Sequence, residues 1–363
     1  MSAPEIPIAF GVIGCRHGHV FSLIKEMLQV PGAACAGVYE ADDASAQAVL
    51  DRFPVTRVAS PEALLDDPRV RVIATAEINR EKAPLLVRAL EAGKDVIADK
   101  PLCTTPADLV AIERIATTKG LRVGLMLTER FTGAARRMHA LVAEGTVGQV
   151  ANVMCWRPHR LGRATRPSWM FADELHGGII VDLAVHDVDI IRWAAGGVFL
   201  EVTAYQQNWA NPVDHDFRDI GTLLGRLSTG ATGFVRTDWY TPRTSPVHGD
   251  TRFLVTGTEG MIEVRTAGDL WAGQGTPRPE VLVMANGGPP RRVDLLPPEK
   301  TLVRDFLESL HLGTTPAISN EDVFEATRAT LMARQSCRLG RTVHRREMMG
   351  DGPAPSPGRA ATR

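Results

Sequence analysis

Ile8-Ala9-Phe10-Gly11-Val12-Ile13-Gly14-Cys15-Arg16-His17-Gly18-His19-Val20 is the stretch on which the fold assignment turns. Residues 8–13 form an apolar run of strand length, and residues 20–28 carry apolar side chains at helical spacing. Between them lies a turn punctuated by Gly14 and Gly18. A buried strand that turns directly into a helix leaves backbone N–H groups free at the helix N-terminus, where a dinucleotide pyrophosphate can bind. The glycines depart from the G-x-G-x-x-G fingerprint. Counted from Gly14, the second and third should stand at 16 and 19, where this chain has Arg16 and His19. A tight turn without any ligand accounts for the same residues, so the neighbouring segments must decide.

Working outward, strand-like runs recur at 34–39, 70–74, 96–98 and 121–127. Helical stretches alternate with them at 44–53, 83–92 and 106–118, the second of these stopped by Gly93. Such alternation predicts an α/β fold, a doubly wound parallel sheet with helices on both faces. The second half changes character. Runs at 150–156, 201–207, 221–227, 230–238, 252–257 and 261–265 are joined by Gly, Asn and Pro, which predicts a large, mostly antiparallel open sheet. Helices are expected at 183–195, 300–310 and 321–339, making this half an α+β domain. The expected boundaries are 1–128, 129–349 and a tail over 350–363, GDGPAPSPGRAATR, whose composition predicts disorder.

The 363 residues, 44% hydrophobic, suffice for two full cores. With 41 Lys+Arg against 42 Asp+Glu, the net charge of −1 gives no global pull toward nucleic acid or an anionic membrane. No apolar run is long enough to span a bilayer, and the N-terminus lacks a basic signal-peptide region. The five cysteines include no C-x-x-C pair, so a disulfide framework or cysteine zinc site is not expected. These features predict a cytoplasmic enzyme or small-molecule binder.

Glu40 ends the second predicted strand, where an acidic side chain accepts hydrogen bonds from an adenosine ribose. Asp42 and Asp43 follow, with no Lys or Arg close in sequence to meet a 2′-phosphate, so NAD is favoured over NADP. A helix-capping role for Glu40 and Asp42 competes with this reading. His17 and His19 lack a third ligand at recognisable spacing, so a turn or phosphate-facing role is expected and no metal. Lys100 in Ala98-Asp99-Lys100-Pro101 is barred from helical geometry by Pro101 and should project at the C-terminal end of a strand, though an ordinary solvated lysine fits as well. Asp182 and His186 are four apart and share a face if one helix runs through both. A satisfied core pair is the competing account.

The segments ALEAGKDVIADKPL (89–102), EGTVGQV (144–150) and GGIIVDLAVHDVD (177–189) together resemble the Gfo/Idh/MocA family, the glucose–fructose oxidoreductases and inositol dehydrogenases, over residues 8–343. The resemblance implies an N-terminal Rossmann domain, a nicotinamide cofactor and a sugar, polyol or related substrate. It also implies a homo-oligomer, dimer or tetramer, formed through the C-terminal sheet. By position, Lys100 matches the lysine of the family's E-K-P motif, and Asp182 and His186 match its D-x-x-x-H pair. These three are the expected catalytic residues. Cofactor contacts are expected from Gly14, Cys15, Arg16, His17, Gly18, His19, Glu40, Thr75, Asp99, Lys100 and Arg130, the last following the final strand of the first half. Asp99 replaces the usual Glu, and Thr75-Ala76-Glu77 stands where Thr-Pro-Asn is common.

The chemistry so implied is hydride transfer between a carbinol carbon and nicotinamide C4, with His186 as general base and Lys100 stabilising alkoxide character. Asp182 would orient His186 or the substrate. Arg157, His159, Arg160 and Trp169, in a long aromatic and basic loop, are candidate substrate contacts, while a subunit contact or a solvated loop explains them equally. Alternatives are a carbonyl or imine reductase, an NAD-dependent glycoside hydrolase of the same fold, and a non-catalytic NAD-binding regulator.

Overall fold

The computed structural model describes residues 6–270 and 278–349. Its first sheet has five parallel strands: β1 (Ile8–Ile13), β2 (Ala33–Tyr39), β3 (Val70–Thr75), β4 (Asp95–Ala98) and β5 (Val123–Leu125), in the order β2-β1-β3-β4-β5. The crossovers run through α1 (Val20–Leu28), then α2 (Asp43–Leu50) and α3 (Glu62–Leu65), then α4 (Asn79–Glu91) and α5 (Pro106–Lys119). β4 is buried along its whole length, as expected for a parallel strand covered on both faces. The chain leaves β1 for β2 on one side and returns to β3 on the other. The turn after β1 therefore opens at the point where strand order reverses, the crevice in which such sheets bind ligands.

Local signals mark several of these boundaries. Asp42 accepts the Ser45 N–H at 2.8 Å and caps α2, and Thr105 caps α5 with Pro106 in its first turn. Gly93, at φ +78°, ends α4 through Gly93 N–H to Leu90 O and Lys94 N–H to Ala89 O, both 3.0 Å. The helix begins at Asn79, upstream of the expected start. Pro84 lies inside it and is tolerated.

α6 (Gly133–Ala143) leads to the second sheet, whose nine strands are β6 (Val150–Pro158), β7 (Phe199–Gln207), β8 (Ile220–Leu227), β9 (Thr232–Asp238), β10 (Arg252–Gly257), β11 (Gly260–Arg265), β12 (Glu280–Ala285), β13 (Gly288–Val293) and β14 (Val343–His344). Their order is β13-β12-β11-β10-β6-β9-β8-β7-β14, antiparallel throughout except for β6 against β9. The β12–β13 hairpin was not anticipated. Pro289 and Pro290 obscure β13, an exposed edge strand where missing N–H groups do no harm. Between β6 and β7 come the one-turn helices α7 (Asp173–His176) and α8 (Ile179–Asp182), then α9 (Ala184–Ala195). α10 (Leu302–Leu312) and α11 (Asn320–Leu339) precede β14. α9 and α11 pack on one face of the large sheet. On β6, Val153, Cys155 and Arg157 point toward those helices, while Met154 and Trp156 face outward and are exposed.

The helix expected over 183–195 is present as α9, but it does not run through both Asp182 and His186: α8 ends at Asp182, and Leu183 separates it from α9. The expected tail, 350–363, lies outside the described residues. All five cysteines are free thiols. No helix among the described residues is long and apolar enough to cross a membrane.

Candidate active site

The turn after β4 is fastened from below. Asp99 N–H donates to Thr75 O at 2.8 Å, and the Lys100–Pro101 peptide is cis. Lys82, wholly buried on α4, donates to the carbonyl oxygens of Asp99 at 2.8 Å and Pro101 at 3.0 Å. Burial pushes its ammonium down to about 8. This scaffold aims Lys100 across the gap toward α8, where its Nζ lies 2.6 Å from Asp182 Oδ1, both side chains buried. Asp182 Oδ2 lies 3.3 Å from His176 Nε2. Burial by itself would raise the Asp182 carboxyl, but Lys100 and His176 outweigh it and hold it well below the usual range.

Lys100, Asp182 and His186 line one cavity of about 380 Å³. His17 and His19 form its wall on the side of the first sheet. His159, Arg160, Arg166, Trp239 and His248 enclose it from the large sheet and its loops. His186 is held neutral, its pKa well below the ordinary value because of burial first and then the positive charges of Arg157 and Lys100. Its Nδ1 is buried with no partner among the described residues. The break at Leu183 changes the expected pairing: Asp182 meets Lys100 and His176, with no hydrogen bond to His186 among the described residues. His176 was missed in the sequence. It precedes Gly177 and Gly178, whose φ values of +89° and +83° turn the chain back so that α7 and α8 share one end of the cleft.

The other expected contacts divide. His159 and Arg160 reach the cavity, and burial pushes His159 down to about 3. Arg160 is anchored by donating to Ser245 O at 2.6 Å. Trp169 stands behind the wall, packed with Ile78 and Met170, its ring 6.1 Å from that of His17. Arg157 is a correction. Strand alternation turns it into the helix layer, where it donates to Asp187 and Glu129, both at 2.9 Å, and it does not line the cavity. Arg130 is a second correction. Its buried guanidinium donates to both oxygens of Asp189, to Asp322 and to Ala317 O, and it does not line the cavity.

The turn after β1 fits a dinucleotide with a modified cradle. Gly14 has φ +85°, and a Cβ there would stand 2.7 Å from the Glu77 side chain. Glu40 is buried at the end of β2 and accepts the N–H groups of Cys15 at 2.6 Å and Asp42 at 2.8 Å. The N–H groups of His17 and His19 are taken by Ala76 O and His17 Nδ1. Those of Arg16 and Gly18 have no acceptor among the described residues and remain for a pyrophosphate. Thr75 is buried behind the turn, and its Oγ1 accepts the Glu77 N–H at 3.3 Å. Arg57 reaches the ribose end from a distant segment, but its guanidinium is held by Asp43 and the Glu40 carbonyl, each at 2.8 Å. A buried Glu40 with that arginine already paired favours a ribose hydroxyl over a 2′-phosphate.

Residues 8–126 match the profile described as oxidoreductase family, NAD-binding Rossmann fold, and residues 135–263 match the GFO/IDH/MocA C-terminal domain. The chain is 24% identical over 354 residues to scyllo-inositol 2-dehydrogenase (NAD(+)) of Bacillus subtilis, covering 93% of this chain and 96% of that one. It is 34% identical to 1,5-anhydro-D-fructose reductase of Ensifer adhaerens over 56% of this chain and 60% of that one. A solved structure from Erwinia carotovora atroseptica SCRI1043, described as an oxidoreductase, superposes with a TM-score of 0.84 at 32% identity, over 91% of this chain and 98% of the other.

Proposed function

The chain belongs to the Gfo/Idh/MocA family of NAD-binding oxidoreductases, and from that premise we propose that it is an NAD-dependent dehydrogenase that interconverts a secondary alcohol and a ketone on a cyclitol or sugar. The observation that carries this reading is the convergence of Lys100, Asp182 and His186 on one cavity beside the β1 turn. Bound NAD supplies the hydride acceptor at nicotinamide C4.

Lys100 donates a hydrogen bond to the reacting hydroxyl oxygen, and its charge stabilises alkoxide character as the C–H bond weakens. Asp182 fixes the ammonium in place through the 2.6 Å contact and balances its charge. Neutral His186, which lines the same cavity, is the proton acceptor. Arg160, His159 and Trp239 offer polar and aromatic surface to a hydroxylated ring. The inositol dehydrogenase and anhydrofructose reductase relatives support the substrate class. The exposed Met154, Trp156 and Met284 on the large sheet support assembly as a dimer or tetramer through that sheet.

A panel of cyclitols, aldoses and sugar acids with NAD or NADP, read by absorbance of the reduced cofactor, tests the reading. At least one cyclitol or sugar should turn over, faster with NAD. His186→Ala should lower kcat by about 10²–10⁴-fold and change NAD affinity much less. Equal loss of both in a folded variant, or no turnover across the panel by a chain that binds NAD, would remove it.

A further inference from the structure

The turn after β1 and the end of β4 bring together side chains whose arrangement the proposed chemistry does not explain. His17 and His19 stand on the first and Asp99 on the second, with one ligand atom of each within 4.8 Å of the others. Asp99 Oδ1 lies 2.8 Å from His19 Nδ1, which satisfies one carboxylate oxygen. Oδ2 is buried and 3.0 Å from His17 Nδ1, yet has no hydrogen bond to it or to any described group. His17 Nδ1 instead accepts the His19 backbone N–H at 3.1 Å. The buried ammonium of Lys82 bonds to main-chain carbonyl oxygens rather than to this carboxylate. Asp99, wholly buried, thus keeps one oxygen unpartnered beside two imidazoles. An unmet buried carboxylate oxygen is costly unless a cation or donor reaches it.

We infer that His17, His19 and Asp99 form a binding site for a divalent transition-metal ion of the zinc class. Two imidazoles and a carboxylate are the ligand set that borderline divalent ions prefer. Three protein ligands leave a fourth position, and the cavity lined by His17 and His19 supplies room for a water or a ligand oxygen there. The sequence conceals the site because the carboxylate comes 80 residues after His19. The inference is independent of the substrate reading, since its test needs neither NAD nor substrate.

The untagged full chain, treated with chelator and dialysed, is titrated with Zn²⁺ by calorimetry and with Co²⁺ by visible absorption. One ion per chain is expected, with the intense d–d bands of a low-coordinate Co²⁺ site. His19→Ala, at a side chain 52% exposed and so tolerant of change, should weaken Zn²⁺ binding at least about tenfold, as should His17→Ala. His159→Ala, an imidazole of the same cavity outside the set, should leave the affinity unaltered. Binding that survives both His17→Ala and His19→Ala, binding lost in folded His159→Ala, or no stoichiometric binding by the folded parent would overturn the inference.

Discussion

Lys100 ends a strand and Asp182 ends a one-turn helix, and their 2.6 Å contact shows how much of the site a sequence can disclose. The acid–Lys–Pro turn and the D-x-x-x-H spacing each mark a residue. The spacing names the wrong imidazole as partner, because Leu183 interrupts the helix and Gly177-Gly178 swing His176 to Asp182 instead. Arg157 was within reach of a closer reading: it shares strand parity with the buried Val153 and Cys155, so it had to point inward. Glu77 makes a prediction at this scale. Burial, with Glu40 and Glu81 nearby, pushes its carboxyl up to about 7 from 4.5. Between those values the folded chain holds a proton that the unfolded chain has released, so stability falls as pH rises through that window. Glu77→Gln keeps an acceptor for the Ile78 N–H and removes the charge. Denaturant unfolding should find it more stable than the parent at about pH 8, by up to about 3 kcal/mol, and equal at about pH 4. A pH-independent difference would contradict this.

Among elements, the turn from β4 to α5 depends on one buried lysine. Lys82 donates to two carbonyl oxygens at good distance, and removal of its ammonium leaves them buried without donors. Lys82→Met should cost about 2–4 kcal/mol in unfolding free energy. Because Lys100 rides on that turn, kcat should fall more than NAD affinity. An unchanged melting temperature and kcat would show that the turn holds itself. Sequence periodicity disclosed β1 to β5 with α1, α2, α4 and α5, where apolar runs of strand length alternate with helical spacing, and missed the one-turn α3. It failed for the β12–β13 hairpin and for α6, where exposed edge residues and an Arg-rich helix dilute the pattern.

At the scale of the molecule, the cavity draws one wall from the first sheet and the rest from the large sheet and its helices, so their relative placement sets the distance from Lys100 to Asp182. Arg130 ties them, joining the segment after β5 to Asp189 on α9 and Asp322 on α11. Arg130→Ala leaves the buried Asp189 carboxylate without its guanidinium, while Asp322 keeps Ser319 and Arg192, and should cost about 3–5 kcal/mol, with NAD affinity retained in the folded fraction. A selective loss of NAD binding without loss of stability would return Arg130 to the cofactor. The two fold classes were legible from the change in hydrophobic period along the chain. The approach of residues 17, 100, 176 and 182 was not, because contacts so far apart in sequence leave no local pattern. The proposed chemistry turns on direct transfer of hydrogen from a carbinol carbon in this cavity. The decisive experiment takes the cyclitol or sugar with the highest turnover, deuterated at its carbinol carbons, and follows the recovered cofactor by NMR. Deuterium is expected at nicotinamide C4 of the reduced product. Reduced cofactor without the label, or product formed with no net change in cofactor, would contradict it.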